Sequence, residues 1–215
     1  MIISELVEKG GIVMVLILLL SVYVFAVIGY KSFQFWKYYV LNHHFIQDVL
    51  VAMHAKRYPN ALKIAASARS PLARVIEVAL KNLFNTSLTE EKKLRLIEVA
   101  GSRALRGFES HLRGLEMVAA IAPLLGLLGT VIGMVKAFAG IGDGGAQVDP
   151  AILASGIWEA LLNTAAGLSV AIPALAAYYI VDAQIERIRA TMRDAVSDVY
   201  NQYDETPHHK RHITP

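Results

Sequence analysis

The chain has 215 residues, 55% of them apolar and 18% charged, and its mean hydropathy of +0.44 exceeds that of an ordinary soluble domain. It contains no cysteine, which excludes a disulfide framework and a thiolate metal site. The formal net charge of +3 is not a nucleic-acid signal, because the basic residues are distributed by membrane topology.

Residues 1–11 are a short N-terminal segment with Lys9 against Glu5 and Glu8. Gly11 to Tyr30 then holds 20 residues without a charge, close to the ~20 that cross ~30 Å of hydrocarbon as a helix. A first transmembrane helix is predicted at 12–35. Its apolar run exceeds a signal peptide's ~7–15 residues, its flank is acidic on balance, and no small-x-small cleavage site follows, so it reads as a retained anchor. Phe33, Phe35, Trp36, Tyr38 and Tyr39, with Lys31 and Lys37, form an expected interfacial belt.

Residues 36–114 read as a cytoplasmic helical domain. Short helices over 42–69 are expected to break near Tyr58-Pro59, since proline disfavours helix in the residue before it. Ser70 and Pro71 are an N-cap and first position for the next helix, which stops at Asn85-Thr86-Ser87. Ser87 and Glu90 have capping-box spacing for a further helix. Leu94, Ile97, Gly101, Ala104, Phe108, Leu112 and Leu115 recur at threes and fours with no evident stop. That helix is expected to continue unbroken into the second span, a rod of about 75–80 Å.

The second span holds 19 uncharged residues from Met117 to Val135, and is predicted at 115–140. A periplasmic loop at 141–150 leads to the third span at 151–181, where Ala160 to Val181 adds 22 uncharged residues. Three such lengths in one small chain are hard to bury without lipid. Ile185, Ile188, Met192, Val196, Val199 and Tyr203 extend the third span as an amphipathic helix over 182–203, and 204–215 is expected to be a disordered tail. The predicted fold is an all-α membrane protein with three transmembrane helices, the second and third extended into a cytoplasmic bundle. A lone chain offers few elements to cover those stripes, so a homo-oligomer is expected.

Residues 31–113 carry 14 Lys/Arg against 6 acids, whereas Ala137 to Trp158 has neither Lys nor Arg. The positive-inside rule then puts 31–113 and the tail in the cytoplasm and the N-terminus outside. Several pattern matches carry little. Gly140 to Gly145 satisfies a dinucleotide fingerprint without a βαβ unit. Asn85-Thr86-Ser87 matches a glycosylation acceptor in a cytoplasmic region. His43-His44 reads as an interfacial pair, and His208, His209 and His212 lack a scaffold for metal. No nucleophile–base pair, phosphate loop or paired carboxylates occur, so an enzyme is not expected, and no cofactor or metal.

Glu159 is the one acidic residue between Asp149 and Asp182. A carboxylate at that depth must be desolvated, paired or protonated, and each is costly in hydrocarbon. Ser155, Glu159 and Asn163 share a face, and Thr164 lies ~100° further round. Lys136 either pairs with Glu159 or snorkels to the outer headgroups. In the second span Ala119, Ala122, Gly126, Thr130, Gly133 and Ala137 make a stripe of small residues, Gly129 and Gly133 a GxxxG, and Pro123 a gap in the hydrogen-bond ladder. Thr130 is expected to pair with the polar cluster of the third span. Gly167, with neighbouring alanines, makes a second small surface there, and Pro173 a bend.

At these residues the sequence resembles a known family. APLLGLLGTVIGMVKAF (Ala122 to Phe138) and GIWEALLNTAAGLSVAIPALAAYY (Gly156 to Tyr179) look like the two signature spans of the MotA/TolQ/ExbB proton-channel family, with the three-span topology of its ExbB and TolQ branches. The resemblance implies a homopentamer in the bacterial inner membrane, whose pore holds single spans of an ExbD- or TolR-like partner. It implies that the partner's membrane aspartate carries the proton while Thr130, Thr164 and Glu159 supply pore-facing polar groups, with Asn163 beside them. Asn163 departs from the small apolar residue of the family pattern. An ExbB-like role would use the proton motive force, through a TonB-like protein, to energise outer-membrane transport. A TolQ-like role in envelope maintenance and a passive helical scaffold are the alternatives. Sodium as coupling ion stays open beside the proton.

Overall fold

The computed structural model describes residues 2–41, 45–68, 70–83, 85, 87–143 and 150–204. All regular structure among them is helical: α1 (Ile2–Leu41), α2 (Phe45–His54), α3 (Tyr58–Ser67), α4 (Pro71–Leu83), α5 (Glu90–Glu109), α6 (Leu112–Asp143) and α7 (Pro150–Asp204). The chain divides into two compact units. One comprises Met1–Tyr30 and His111–Val181, the other Lys31–Ser110 and Asp182–Pro215.

In the first unit, α1, α6 and the first part of α7 each contain a stretch long and apolar enough to cross a membrane. Val24 and Val27 of α1 pack with Leu115, Val118 and Ala122 of α6 and with Ala171 and Ala174 of α7. Large apolar side chains also face outward, among them Leu19, Phe25, Leu124, Val135, Leu161 and Ile172. Helices apolar on every side belong in lipid rather than in water. The chain is thus a multi-pass membrane protein. Helix α1 is interrupted at Gly11, whose φ of 60° and ψ of −153° are open to glycine alone. Helices α6 and α7 continue through Pro123 and Pro173.

The second unit is built around α4, which buries Leu72, Val75, Ile76, Ala79, Leu80 and Leu83. Ser70 caps it as expected, its Oγ accepting the Ala73 amide at 3.0 Å. The chain also breaks before Pro59, which lies in the first turn of α3. Beyond the third span, α7 buries Ile185, Ile188, Met192 and Val199, while Val196 and Tyr203 are half-buried.

Four local expectations are corrected. The Ser87 capping box does not form, because Asn85 Oδ1 takes both the Ser87 amide (3.1 Å) and hydroxyl (2.5 Å); α5 starts after Thr89 instead. Leu94 is not on the buried face of α5 but 60% exposed, and that face carries Lys93, Ile97, Leu105 and Phe108. The second span does not continue α5 unbroken: the chain leaves the helix at Ser110 and turns at His111, with φ of 63°, before α6 begins. Lys31 is no belt residue. It is 1% exposed, and its Nζ donates to the Phe108 carbonyl at 2.7 Å. The expectations for His43-His44, the 144–149 part of the loop and the tail beyond Asp204 lie outside the described residues.

Candidate functional site

The polar residues of the third span sit where α7 meets α6, and glycines set how closely the two approach. A methyl group on Gly167 would lie 2.5 Å from the Ala122 carbonyl oxygen, and one on Gly126 would lie 2.9 Å from the Asn163 carbonyl oxygen. One on Gly133 would lie 3.2 Å from Ala160 Cβ. The small-residue stripe of the second span is therefore the seam that receives the third, as Ala122, Gly126, Gly133 and Ala137 are all buried.

Thr164 is half-buried, and its Oγ1 donates across the seam to the Gly126 carbonyl at 3.2 Å. Asn163 is 2% exposed and lies enclosed by this chain's own helices. Its Oδ1 comes 2.8 Å from the place of a Gly10 methyl, and its Nδ2 2.8 Å from the place of a Gly129 methyl. That Oδ1 has no hydrogen-bond partner among the described residues. Asn163 thus wedges between α1, beside its interruption at Gly11, and α6.

Glu159 lies one turn of α7 before Asn163 and is half-buried. Lys136 is exposed, and no ion pair joins it to Glu159 among the described residues. Thr130 does not bond to the third span either. Its Oγ1 donates to the Leu127 carbonyl of its own helix at 2.6 Å, leaving the threonine partly exposed. The structure therefore brings Thr164, Asn163, Gly126 and Gly129 together, with Glu159 a turn away, and leaves Lys136 and Thr130 apart from them.

Two contributors escaped the sequence reading. Gly10 gives way to the Asn163 amide, and Gly156 makes room for Ala137. Gly156 carried a signal, for it continues Gly167, Asn163 and Ala160 along α7 at spacings of four, three and four. Gly10 carried none, since its neighbour is 153 positions further along the chain.

The profile described as the MotA/TolQ/ExbB proton channel family matches residues 67–194. The biopolymer transport protein ExbB of Salmonella typhimurium is 34% identical over 196 residues, covering 87% of this chain and 78% of that protein. A putative biopolymer transport protein ExbB-like 1 of Synechocystis is 34% identical over 80% of this chain and 68% of its own length. The biopolymer transport protein exbB1 of Vibrio cholerae is 38% identical over 43% of this chain, a match spanning only 40% of that relative.

Proposed function

This chain belongs to the MotA/TolQ/ExbB proton channel family and is most like its ExbB members, and from that membership we propose that it is the inner-membrane subunit of a motor driven by the proton motive force. In this reading it assembles as a homopentamer around an ExbD-like single-span partner, and through a TonB-like protein energises transport across the outer membrane. Its N-terminus is periplasmic and its C-terminus cytoplasmic. A transport subunit of this kind is not an enzyme and needs no cofactor beyond the coupling ion.

The observation that carries the proposal is Glu159: a half-buried carboxylate, without a cation against it among the described residues, and the one charge between Asp149 and Asp182 in the third span. Such a group is retained in hydrocarbon where it serves an ion path. A single carboxylate with few supporting oxygens suits a proton better than sodium, which takes several ligands. A proton moving down the membrane potential releases ~2.3 kcal/mol per 100 mV. Neutralising and recharging the partner's acid changes whether it faces an apolar wall or the hydroxyls of Thr130 and Thr164. Asn163, enclosed in the chain, shapes that wall from behind. The partner turns or tilts as its charge state alternates.

The Thr164–Gly126 bond favours a second reading, in which the polar residues only fasten helices together. One experiment separates the two. The chain is co-expressed with an ExbD-like partner as wild type, Glu159→Gln and Thr164→Val. Subunit stoichiometry is read by native mass spectrometry and potential-dependent uptake in cells. The motor reading expects intact complexes with uptake lost; complexes that fall apart in step with uptake, or uptake left intact, would sink it.

A further inference from the structure

Within the second unit, α5 and the last part of α7 run side by side in opposite directions. Glu109 meets Arg189 at 2.9 Å at one end, and at the other the Glu90 carboxylate acts on the Tyr200 hydroxyl. Counted from that ion pair, back along α5 and onward along α7, Gly101 stands level with Ser197 and Ser102 with Val196. Side chains this small do not fill the space between the helices. A methyl group on Gly101 would meet nothing within 4 Å, and a cleft of about 810 Å³ opens there.

The floor of the cleft is apolar: Val75 of α4, Ile97 and Leu105 of α5 and Met192 of α7 are buried in it. Leu94 lines the end nearer Tyr200 and is 60% exposed. The Tyr200 hydroxyl is buried without a hydrogen-bond partner among the described residues. An unmet buried hydroxyl is costly, and an occupant with an acceptor there would recover the loss.

The other end is basic. Arg106 and Arg193 lie about one turn beyond the Glu109–Arg189 pair, on facing sides of the cleft. Neither makes an ion pair among the described residues. Glu98, the unpaired acid of the lining, stands ~12 Å from Arg106 along α5. Two free guanidinium groups beside an apolar floor favour an anionic, amphipathic occupant. From Leu94 to Glu109 the cleft follows α5 for ~22 Å, about four turns of helix, and its rim residues Ser102, Arg106, Arg193 and Ser197 are exposed. Residues 31–113 carry 14 Lys/Arg against 6 acids, so a second copy of the chain would bring mostly like charge to that rim.

We propose that this cleft receives an acidic amphipathic helix of a partner protein, its apolar side chains on the floor and its carboxylates against Arg106 and Arg193. The Tyr200 hydroxyl donates to an oxygen of the same helix. The site uses none of the residues placed on the proton path, so the two readings stand or fall separately.

The test places the photo-crosslinking residue p-benzoylphenylalanine at Ser102 of the full chain, in the cells that naturally make it, and sequences the captured peptide by mass spectrometry. The expected product is a stretch of another protein with apolar residues at helical spacing and a net negative charge. Its yield falls about tenfold or more when Arg106→Glu and Arg193→Glu are combined, and most of it survives Arg106→Lys with Arg193→Lys. Gly101→Leu fills the cleft without touching a charge and lowers the yield as far. It carries the comparison alone should the double reversal fail to fold, with melting temperatures telling a lost site from a lost fold. Capture of a second copy alone, of lipid alone, of peptides without that pattern, or of nothing would overturn the proposal. So would a yield that the charge reversal or Gly101→Leu leaves unmoved.

Discussion

The side chain of Asn163 occupies the place of a methyl group on Gly129: its Cβ, Cγ and Nδ2 lie 2.6, 2.8 and 2.8 Å from that point. The two residues are therefore a size pair, and they should not mutate independently. Gly129→Ala alone is expected to cost about 1–3 kcal/mol by overpacking. Asn163→Ala should recover most of that loss in the double variant, because it removes the clashing atoms together with an acceptor that has no partner among the described residues. A double-mutant cycle on thermal unfolding in detergent checks it; strictly additive effects would show that the contact does not govern packing.

Glycines along the helices should divide by what surrounds them. A methyl group on Gly167 would meet the Ala122 backbone carbonyl at 2.5 Å, and backbone cannot swing aside. Gly167→Ala is expected to destabilise the three-helix unit by roughly 1–3 kcal/mol. A methyl on Gly101 meets nothing within 4 Å, and alanine is the better helix former. Gly101→Ala should then stabilise by about 0.5–1 kcal/mol. Unfolding curves for the two variants moving in the same direction would contradict this division.

Ser70 is 4% exposed and caps α4 through the Ala73 amide. Ser70→Ala leaves that buried donor unmet, at a cost of about 1 kcal/mol. Ser70→Asp should retain most of the stability. Equal melting temperatures for wild type and Ser70→Ala would show that the cap contributes nothing.

Tyr200 couples stability to alkaline pH. Burial first, and the Glu90 carboxylate second, push its hydroxyl above the ordinary tyrosine value. Below a pH of about 10 both folded and unfolded chains keep the proton, and the contribution of Tyr200 is fully present. Above that the unfolded chain ionises while the folded one resists, so the contribution is lost as pH rises through the raised folded value. Tyr200→Phe is expected to flatten the fall of stability above pH ~10. Chemical unfolding between about pH 8 and 11, wild type against variant, measures the difference; parallel slopes would refute it.

What was legible in the sequence were properties of single helices. Uncharged lengths marked the spans, and the 3, 4, 4, 3, 4 steps from Ala119 to Ala137 marked the face of α6 that α7 covers. Spacing also put Glu159 and Asn163 on one side of α7. It could not say which helix lies opposite, and Asn163 proves to be enclosed by α1 and α6. The end of α5 was illegible for a related reason: besides the nearby Ser110, the donors to the Gly107 and Phe108 carbonyls are Gln34 and Lys31, more than 70 positions earlier. Ser87 failed as a cap because Asn85, two residues before it, binds it first. Periodicity describes one helix and is blind to competition for a hydrogen-bonding group.

The amine of Lys31 has a consequence for where the bilayer ends. Hydropathy closes the first span at its first charge, on the assumption that a lysine must reach headgroups or water. Here the charge is met by a backbone carbonyl, so it sets no such limit. The apolar helix runs for 28 residues, Gly10 to Lys37, or ~42 Å at ~1.5 Å per residue, against ~30 Å of hydrocarbon. That limit passes instead to Arg113 and Glu116 of α6, exposed charges on either side of Leu115, which packs with Val24 and Val27 of α1. A bilayer that followed α1 as far as Lys37 would draw both into hydrocarbon, at the cost such charges carry there.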